Sequence, residues 1–275
     1  MKHSLAAKKS LGQNFLNNAN VPRLMADAGA VDASDTVLEI GPGTGVLTKE
    51  LLDRAKKVIA IEADARAIEL LKERFAQEIA QKKLTLLSGD VRELDFSKLG
   101  LKTGTYKVVA NIPYYLSGFL FRTLLEQKIQ PSTLVFLVQK EVAERIARDK
   151  KESLLSLSIR AYGTPRYVQT IKKGNFTPQP KIDSAIIAIS DISKNRFTTI
   201  TESSFFFILH EGFKSRRKQL IGNLSEKYGR EVVAEAFSTL KLPLTVRGED
   251  VPLETWLALA TTLTIHKEAS KNTHS

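Results

Sequence analysis

Cysteine is absent from this 275-residue sequence, and histidine, methionine and tryptophan are scarce. Without cysteine the chain can form neither disulfide bonds nor thiolate metal sites, which is consistent with a reducing compartment, so we expect a cytoplasmic protein. The four histidines (His3, His210, His266 and His274) lack the spacing of a metal site. We therefore expect no bound metal.

Long apolar runs are also absent. The longest, such as residues 134–138 and 185–189, are far shorter than the roughly 18 residues that span a bilayer, and they suit buried strands. The first ten residues contain no apolar stretch, so we expect no secretory signal. Together these absences predict a protein that is neither secreted nor embedded in a membrane, and we expect it to be a monomer.

Positive charge, by contrast, is in excess. The chain has 41 Lys and Arg against 30 Asp and Glu, a formal net charge of +11. Such an excess favours polyanionic partners through phosphate contacts and counterion release, although a basic surface with no specific partner gives the same count. Charge therefore makes nucleic acid a candidate partner without deciding the matter.

Short β-rich runs alternate with helical patterns over residues 36–190. The predicted strands are Thr36–Ile40, Val58–Glu62, Leu84–Ser88, Lys107–Ala110, Thr133–Val138, Arg166–Lys172 and Ile182–Ser190. Helical patterns such as 65–81 and 140–149 lie between them. This alternation predicts βαβ units in a mostly parallel sheet, closed by the last two strands as a hairpin-like pair.

A polar stretch at 191–197 separates this α/β region from a helical C-terminal part. The helices predicted there are Ser203–Phe213, Arg216–Tyr228, Arg230–Leu240 and Pro252–Ile265. We therefore predict two domains, an α/β domain over residues 1–195 and a small all-helical domain over residues 196–275.

A glycine-rich segment, Glu39-Ile40-Gly41-Pro42-Gly43-Thr44-Gly45, follows the first predicted strand and begins a helical pattern. Glycine is needed where the backbone turns sharply or where a ligand approaches closer than a Cβ atom would allow. The spacing differs from the G-x-G-x-x-G of dinucleotide sites, and the lysine of a phosphate-binding loop is absent. A tight strand-to-helix connection without a ligand would use the same residues, so the segment alone leaves both interpretations open.

Two acidic residues favour the ligand interpretation. Glu62 ends the second predicted strand, where a carboxylate can bind both hydroxyls of a ribose. Asp90 closes the third, where it can accept a hydrogen bond from an adenine amine. Because ligands bind at the carboxyl edge of an open parallel sheet, these acids together with Gly41 and Gly43 predict a site for an adenosine-containing cofactor.

The fourth predicted strand leads into Asn111-Ile112-Pro113-Tyr114. An exocyclic adenine amine is a poor nucleophile because its lone pair is delocalised into the ring. Acceptors for both of its N–H bonds favour a tetrahedral nitrogen, and the Asn111 side-chain oxygen and the Ile112 carbonyl can serve as these acceptors. The Tyr114 ring can stack on the base. The motif predicts direct transfer of a methyl group to an adenine amine, organised by proximity and electrostatics.

Taken together, these segments resemble the ribosomal RNA adenine N6-dimethyltransferase family, and within it the small-subunit group associated with kasugamycin sensitivity. The resemblance extends from about Lys8 to the last predicted helix. Its further motifs are residues 12–16, Gly89-Asp90, 139–145, 176–180 and 213–218. It implies a Rossmann-like methyltransferase sheet and S-adenosylmethionine as cofactor.

The same resemblance assigns roles to particular residues. Those implied to line the cofactor pocket are Asn14, Leu16, Gly41, Glu62, Asp90 and Asn111. Phe176 is implied to supply a second aromatic wall opposite Tyr114. The implied substrate is a pair of adjacent adenines in a hairpin loop near the 3′ end of 16S ribosomal RNA, each dimethylated during maturation of the small subunit. The residues by themselves would not single out Asn14 or Leu16.

A basic cluster lies in the predicted helical domain and consists of Lys214, Arg216, Arg217 and Lys218. Three consecutive residues on a helix spread over roughly 200°, so we expect at least two of residues 216–218 to reach solvent. We interpret the cluster as an RNA-binding site for phosphates. A solvated helix start would have the same composition.

Three alternatives remain open. Erythromycin-resistance relatives that act on large-subunit RNA share the cofactor site and Asn-x-Pro-Tyr, although Gly12 and Arg247-Gly248-Glu249 favour the small-subunit group. A DNA amino-methyltransferase would usually carry a larger target-recognition domain. An inactive ribosome-assembly factor would not need the complete set of site residues.

The sequence departs from the family pattern at two places. Relatives often have asparagine where this chain has Tyr115, and they often have Tyr-Gly-x-Leu-Ser where this chain has residues 149–156.

Overall fold

A computed structural model of the chain describes residues 5–8, 12–215 and 217–272, which form two compact units. The first unit comprises residues 1–147 and 163–192, and the second comprises residues 148–162 and 193–275. This division differs from the predicted boundary after residue 195 because the segment 148–162 belongs to the second unit. Leu157 and Ala161 of this segment are buried in the second unit's hydrophobic core.

The strands of the first unit form one large sheet and one small one. In chain order they are β1 (Phe15–Leu16), β2 (Thr36–Ile40), β3 (Lys57–Glu62), β4 (Leu84–Ser88), β5 (Tyr106–Asn111), β6 (Thr133–Gln139), β7 (Thr164–Ile171), β8 (Phe176–Thr177) and β9 (Ser184–Ser190). The large sheet has the order β4-β3-β2-β5-β6-β9-β7. Its first five strands are parallel, and β9 is antiparallel to both of its neighbours. The predicted Rossmann-like fold class is confirmed.

The strand order also locates a ligand-binding edge. From β2 the chain adds β3 and β4 on one side and then β5 and β6 on the other, so the winding direction reverses between β2 and β5. Ligands of open α/β sheets bind at such a reversal, outside the carboxyl ends of the strands. Central strands are covered on both faces and are therefore almost wholly apolar. In β6, residues 134–138 are fully buried.

The helices of the first unit are α1 (Asn20–Ala28), α2 (Val46–Arg54), α3 (Ala65–Arg74), α4 (Ala76–Ala80), α5 (Ser117–Glu126) and α6 (Lys140–Ala147). The single helix predicted over 65–81 is wrong, because the chain leaves the helical region at Phe75 (φ −117°, ψ 30°). The Phe75 side chain is buried in the core of the unit, so tertiary packing here overrides the local helical preference.

The small sheet fastens the N-terminal segment 12–18 to the loop before β9. Its strands β1 and β8 are antiparallel, with Leu16 opposite Phe176. Side chains extend the attachment: the Asn18 amide donates to the Asn175 side-chain oxygen (2.7 Å), and the Asn17 amide donates to the Thr177 hydroxyl (3.1 Å). The sequence did not predict this pairing.

The second unit is helical. Its helices are α7 (Leu154–Arg160), α8 (Glu202–Phe213), α9 (Leu220–Tyr228), α10 (Arg230–Thr239) and α11 (Leu253–Asn272). They surround Trp256, whose fully buried ring stacks on Phe213 (centroids 5.5 Å apart) and whose Nε1 donates to the Gly248 carbonyl. In the part of the chain that the structure describes, no helix is long and apolar enough to cross a membrane.

Candidate active site

A cavity of about 110 Å³ opens at the carboxyl edge of the large sheet. Four successive strand ends contribute to it: the glycine loop after β2, Glu62 at the end of β3, Asp90 after β4 and Asn111 at the end of β5. The other lining residues relevant here are Gly12, Gln13, Asn14, Phe15, Gly41, Gly43, Arg92, Ile112, Tyr114 and Tyr115. The structure therefore brings together most of the residues that the sequence assigned to the cofactor and the target base.

The glycine loop is shaped by two different requirements. Gly43 has a positive φ of 56°, and a Cβ atom there would lie 2.9 Å from the Phe15 ring, so the N-terminal segment could not pass this close to any other residue. Gly41 also has a positive φ, of 70°, but a Cβ atom there would meet nothing within 4 Å. Because Gly41 lines the cavity, its missing side chain leaves space for a ligand.

Glu62 is almost completely buried at the centre of this site. One carboxylate oxygen accepts the Gly43 backbone N–H (2.9 Å) and the other accepts the Asp64 backbone N–H (2.8 Å). Burial raises the pKa of Glu62, and these two backbone hydrogen bonds oppose the increase. Each oxygen keeps a lone pair, so both can still accept a ligand hydroxyl.

Asp90 lies in a more exposed and more positive environment. Its carboxylate forms a bidentate pair with Arg92, whose Nε and Nη2 donate at 3.0 and 2.5 Å. These hydrogen bonds hold the pKa of Asp90 below its ordinary value, so the group is a fully ionised acceptor near neutral pH. Arg92 was not predicted as a site residue, because an arginine four residues after a strand has no distinctive spacing.

The Asn111 side chain is oriented by a neighbour. Its amide nitrogen donates to the Asn14 backbone carbonyl (3.1 Å), which fixes which end of the amide faces the cavity. No described residue donates a hydrogen bond to Asn111 Oδ1, so this oxygen remains an available acceptor. Ile112, whose carbonyl is the second predicted acceptor, lines the same cavity.

The two predicted aromatic walls lie in different surroundings. Tyr114 lines the cavity, and its hydroxyl shares a hydrogen bond with the buried Ser184 hydroxyl (2.7 Å). Burial raises the pKa of the Tyr114 hydroxyl. Phe176 is only 3% exposed and packs in the hydrophobic core from β8. Within the described chain, Phe176 and its partner Leu16 do not line the main cavity; Leu16 lines a smaller adjoining one with Asn111.

The described residues of the predicted basic cluster do not lie on a helix. Helix α8 ends at Phe213 and helix α9 begins at Leu220, so Lys214, Arg217 and Lys218 lie in the turn between them; Arg216 lies outside the described residues. The buried Asn223 side chain shapes this turn by donating to the carbonyls of Gly212 (2.6 Å) and Ser215 (3.2 Å). The described residues 217–219 of the predicted helix Arg216–Tyr228 are therefore not helical, and the observed helix begins at Leu220.

Within this turn the cations differ in their partners. Lys214 and Lys218 both donate to the carboxylate of Glu226, at 3.0 and 3.2 Å. Arg217 is exposed and has no carboxylate partner among the residues described. The exposure of Arg217 and Lys218 agrees with the expectation that at least two residues of this cluster reach solvent. That expectation assumed that they lie on a helix, which they do not.

Comparison with known proteins assigns the chain to a family. The family model described as ribosomal RNA adenine dimethylase matches residues 4–264. The chain belongs to the ribosomal RNA adenine dimethylase family. This confirms the resemblance predicted from the sequence.

Individual relatives of this dimethylase family agree. The chain is 36% identical to the ribosomal RNA small subunit methyltransferase A of Dehalococcoides mccartyi over 94% of its length and 88% of the relative. It is 34% identical to the Clostridium botulinum protein of the same name, over 92% of both chains. A solved dimethyladenosine transferase from Plasmodium falciparum superposes with a TM-score of 0.75 at 25% identity, covering 92% of this chain and 98% of that one. The 23S rRNA methyltransferase ErmE (TM-score 0.72, 23% identity, 91% and 100% covered) shares the fold.

One further residue of this dimethylase was missed as a site candidate. Glu39 is 1% exposed, and neither carboxylate oxygen has a hydrogen-bond partner within the residues the structure describes. Burial raises its pKa to about 8, and the nearby Thr48 hydroxyl only partly opposes this. Glu39 lines the smaller cavity beside Leu16 and Asn111. A glutamate within the apolar strand Val37-Leu38-Glu39-Ile40 was the signal available in the sequence.

Proposed function

We propose that this protein transfers methyl groups from S-adenosylmethionine to the N6 amines of two adjacent adenines near the 3′ end of 16S ribosomal RNA, giving N6,N6-dimethyladenine. We propose further that it acts as a monomer in the cytoplasm during maturation of the small subunit. The observation that carries the proposal is the Asn111 amide, whose oxygen is left available at a cavity lined by Glu62 and Asp90. The names of the curated relatives support the choice of the small subunit.

The residues around the cavity suit this cofactor. Glu62 can bind ribose hydroxyls, Asp90 can accept from an adenine amine, and Gly41 leaves open space in the cavity on the other side of Glu62 from Asp90. The unpartnered carboxyl of Glu39 suits a cationic group, and the amino-acid end of S-adenosylmethionine carries an ammonium. Asn14 and Leu16 would close the pocket from the N-terminal segment. When bound, S-adenosylmethionine supplies a methyl group activated by a positively charged sulfur.

The remaining residues act on the target amine. Asn111 Oδ1 accepts one N–H bond and the Ile112 carbonyl accepts the other, which concentrates the nitrogen lone pair for attack. Tyr114 stacks on the extruded base, and its bond to Ser184 holds the ring in place. We retain Phe176 as the aromatic wall opposite Tyr114. This role requires the Phe176 ring, which is buried in the core, to become accessible to the base. No group of three His, Cys, Asp or Glu residues in the described chain is placed to hold a metal ion.

A direct assay tests this function. Undermethylated small ribosomal subunits are incubated with radiolabelled S-adenosylmethionine, and the labelled nucleotides are located by RNA cleavage. We expect dimethyladenine at two adjacent positions near the 3′ end of 16S RNA. Label in large-subunit RNA would instead indicate an enzyme of the large-subunit group. Absence of label would contradict methyl transfer and indicate a protein that only binds RNA.

The cofactor acids are expected to differ in importance. Glu62→Ala removes a buried acceptor and also releases the backbone of the glycine loop, so we expect a loss of cofactor affinity of about ten- to a hundredfold. Asp90→Ala should fall at the lower end of this range, because Arg92 already occupies much of that carboxylate. Titration calorimetry of the folded variants measures both effects. Glu93→Ala, an exposed neighbour, is the control, and wild-type affinity in both test variants would exclude this pocket.

We also propose that the second unit docks the RNA through the basic cluster Lys214, Arg216, Arg217 and Lys218. Phosphates would compete with Glu226 for Lys214 and Lys218, and Arg217 would be available without competition. Replacing Arg216 and Arg217 with glutamine should weaken RNA binding and flatten its salt dependence by about one unit of log–log slope per lost contact. Filter binding to small subunits at several salt concentrations measures the slope.

Two further variants sharpen this test. Glu226→Gln frees both lysines and should strengthen RNA binding and steepen the slope, the opposite of the arginine variant. Lys102→Gln with Lys128→Gln makes the same charge change on exposed residues remote from the turn in sequence and should leave the slope unchanged. A wild-type slope in the arginine variant would place RNA docking elsewhere.

A further inference from the structure

Exposed apolar side chains of the first unit are concentrated in one region. Among the described residues of this unit, the large apolar side chains that are substantially exposed are Tyr115 (58%), Phe119 (39%) and Ile182 (42%). Tyr115 directly follows Tyr114, and Ile182 lies two residues before Ser184, which is hydrogen-bonded to Tyr114. The exposed apolar surface is therefore next to the residue proposed to stack on the target base. Large exposed apolar surface near a functional site indicates a binding role.

The Tyr115 ring is held in position by its surroundings. It packs on the backbone of Gly12, where φ is +60° and a Cβ atom would approach the ring to 3.2 Å. The turn that carries it is fixed by Ser117, whose hydroxyl donates to the Tyr114 carbonyl (2.8 Å). A ring that is already ordered loses little conformational freedom on binding. Tyr115 therefore presents a preorganised aromatic surface to solvent.

Phe119 extends this surface along α5. The 3₁₀ turn Tyr114–Leu116 continues directly into α5 through Leu116 (φ −91°, ψ −10°), so Phe119 follows about one helical turn after Tyr115. Gly118, the residue before Phe119, faces open space, since a Cβ atom there would meet nothing within 4 Å. We call Tyr115 and Phe119 the aromatic ridge.

Positive charge flanks the aromatic ridge. Arg92 lines the cavity together with Tyr115 and is close enough to interact with it electrostatically. Arg122, three residues beyond Phe119, is 69% exposed. Each arginine has a carboxylate partner, but a guanidinium has five N–H donors, so both can also bind a phosphate. Exposed rings bordered by cations fit single-stranded RNA, whose bases stack on aromatics while its phosphates need positive charge.

We propose that the aromatic ridge stacks on the nucleotide that adjoins the target adenine in the RNA. The proposal rests on the proposed function, because extrusion of the target adenine removes a stacking partner from its neighbour. The ridge replaces that partner, stabilises the opened loop and so favours the extruded state. It deepens the function by adding a second base-binding position, beside the one formed by Tyr114.

A fluorescent base tests the aromatic ridge without relying on catalysis. Small subunits are reconstituted with undermethylated 16S RNA that carries 2-aminopurine next to the adenine pair; this base is quenched when stacked and bright when unstacked. With the wild-type protein and no cofactor, the probe should stay quenched. Tyr115→Ala and Phe119→Ala should each weaken binding roughly five- to 150-fold, and at saturating protein the probe should brighten.

Matched variants and a parallel assay make the result decisive. Tyr115→Trp keeps a stacking ring and should restore both affinity and quenching, whereas Ile265→Ala, an exposed apolar residue of the second unit, should behave as wild type. Wild-type affinity and quenching in the Tyr115→Ala, Phe119→Ala double variant would overturn the ridge. Methylation of the same particles by the wild-type protein is measured separately, so a failure of the proposed function is distinguished from a failure of the ridge.

Discussion

Replacing Asn111 with alanine is expected to lower the rate of methyl transfer by about two to three orders of magnitude, the range found when one preorganised hydrogen-bonding group is removed from a reacting centre. The reason is the fixed orientation of the amide, which places its oxygen toward the cavity before the substrate arrives. Single-turnover rates on undermethylated subunits measure the effect. Because the role proposed for Asn111 is to stabilise the developing tetrahedral nitrogen, RNA affinity should change far less than the rate.

Two other variants identify the cause of that loss. Asn111→Asp keeps the size of the side chain but replaces the N–H donor with an oxygen that is repelled by the Asn14 carbonyl, so it should also be nearly inactive. Asn195→Ala, an exposed asparagine of the second unit, should retain the full rate. Dimethyladenine formed at a normal rate by Asn111→Ala would refute the mechanism.

Replacing Glu39 with glutamine should stabilise the free protein while weakening cofactor binding. Burial raises the pKa of Glu39 from 4.5 to about 8. The folded protein therefore holds a proton that the unfolded chain releases, and the folded state loses stability as the pH rises from about 4.5 to about 8. Above that range the penalty is complete and amounts to several kcal/mol, at about 1.4 kcal/mol per pKa unit. The neutral amide avoids this penalty.

Thermal unfolding at pH 5 and pH 9 checks the first half of this prediction. The melting temperature of Glu39→Gln should exceed that of the wild type clearly at pH 9 and only slightly at pH 5. Calorimetry checks the second half, with an expected loss of about ten- to a hundredfold in cofactor affinity. Glu69→Gln, on the exposed face of α3, is the control. If the melting temperatures of wild type and Glu39→Gln had the same pH dependence, Glu39 would not be the buried group that destabilises the folded protein. If their cofactor affinities were also equal, Glu39 would have no role in cofactor binding.

The central sheet and the main site were predictable because they depend on local patterns and one topological rule. Strands β2 and β4 begin and end where the β-rich runs do. Burial explains this for β2, which is covered on both faces, whereas β4 is an edge strand in which only Leu84 is buried. The carboxyl ends of parallel strands meet at one edge, so Glu62, Asp90 and Asn111 could be placed together without knowing any distance.

The features that were missed depend on contacts between distant parts of the chain. The two-residue strands β1 and β8 have no periodicity of their own and exist only because they pair with each other. The start of α9 was misplaced because Asn223, rather than a local capping residue, closes the turn before it. The burial of the Phe176 ring in the core likewise could not be read from the sequence, and its assignment to the site by resemblance stays a proposal.

The pairing of β1 with β8 has a consequence for biosynthesis. About 160 residues separate the two strands, so at about 5–20 residues per second the ribosome needs roughly 8 to 30 s to supply β8 after β1. During that interval β1 has no partner, and the Asn14 carbonyl that orients Asn111 is not yet held in place. The hydrogen bond that orients Asn111 is therefore supported by the β1–β8 pair only when most of the first unit has been translated.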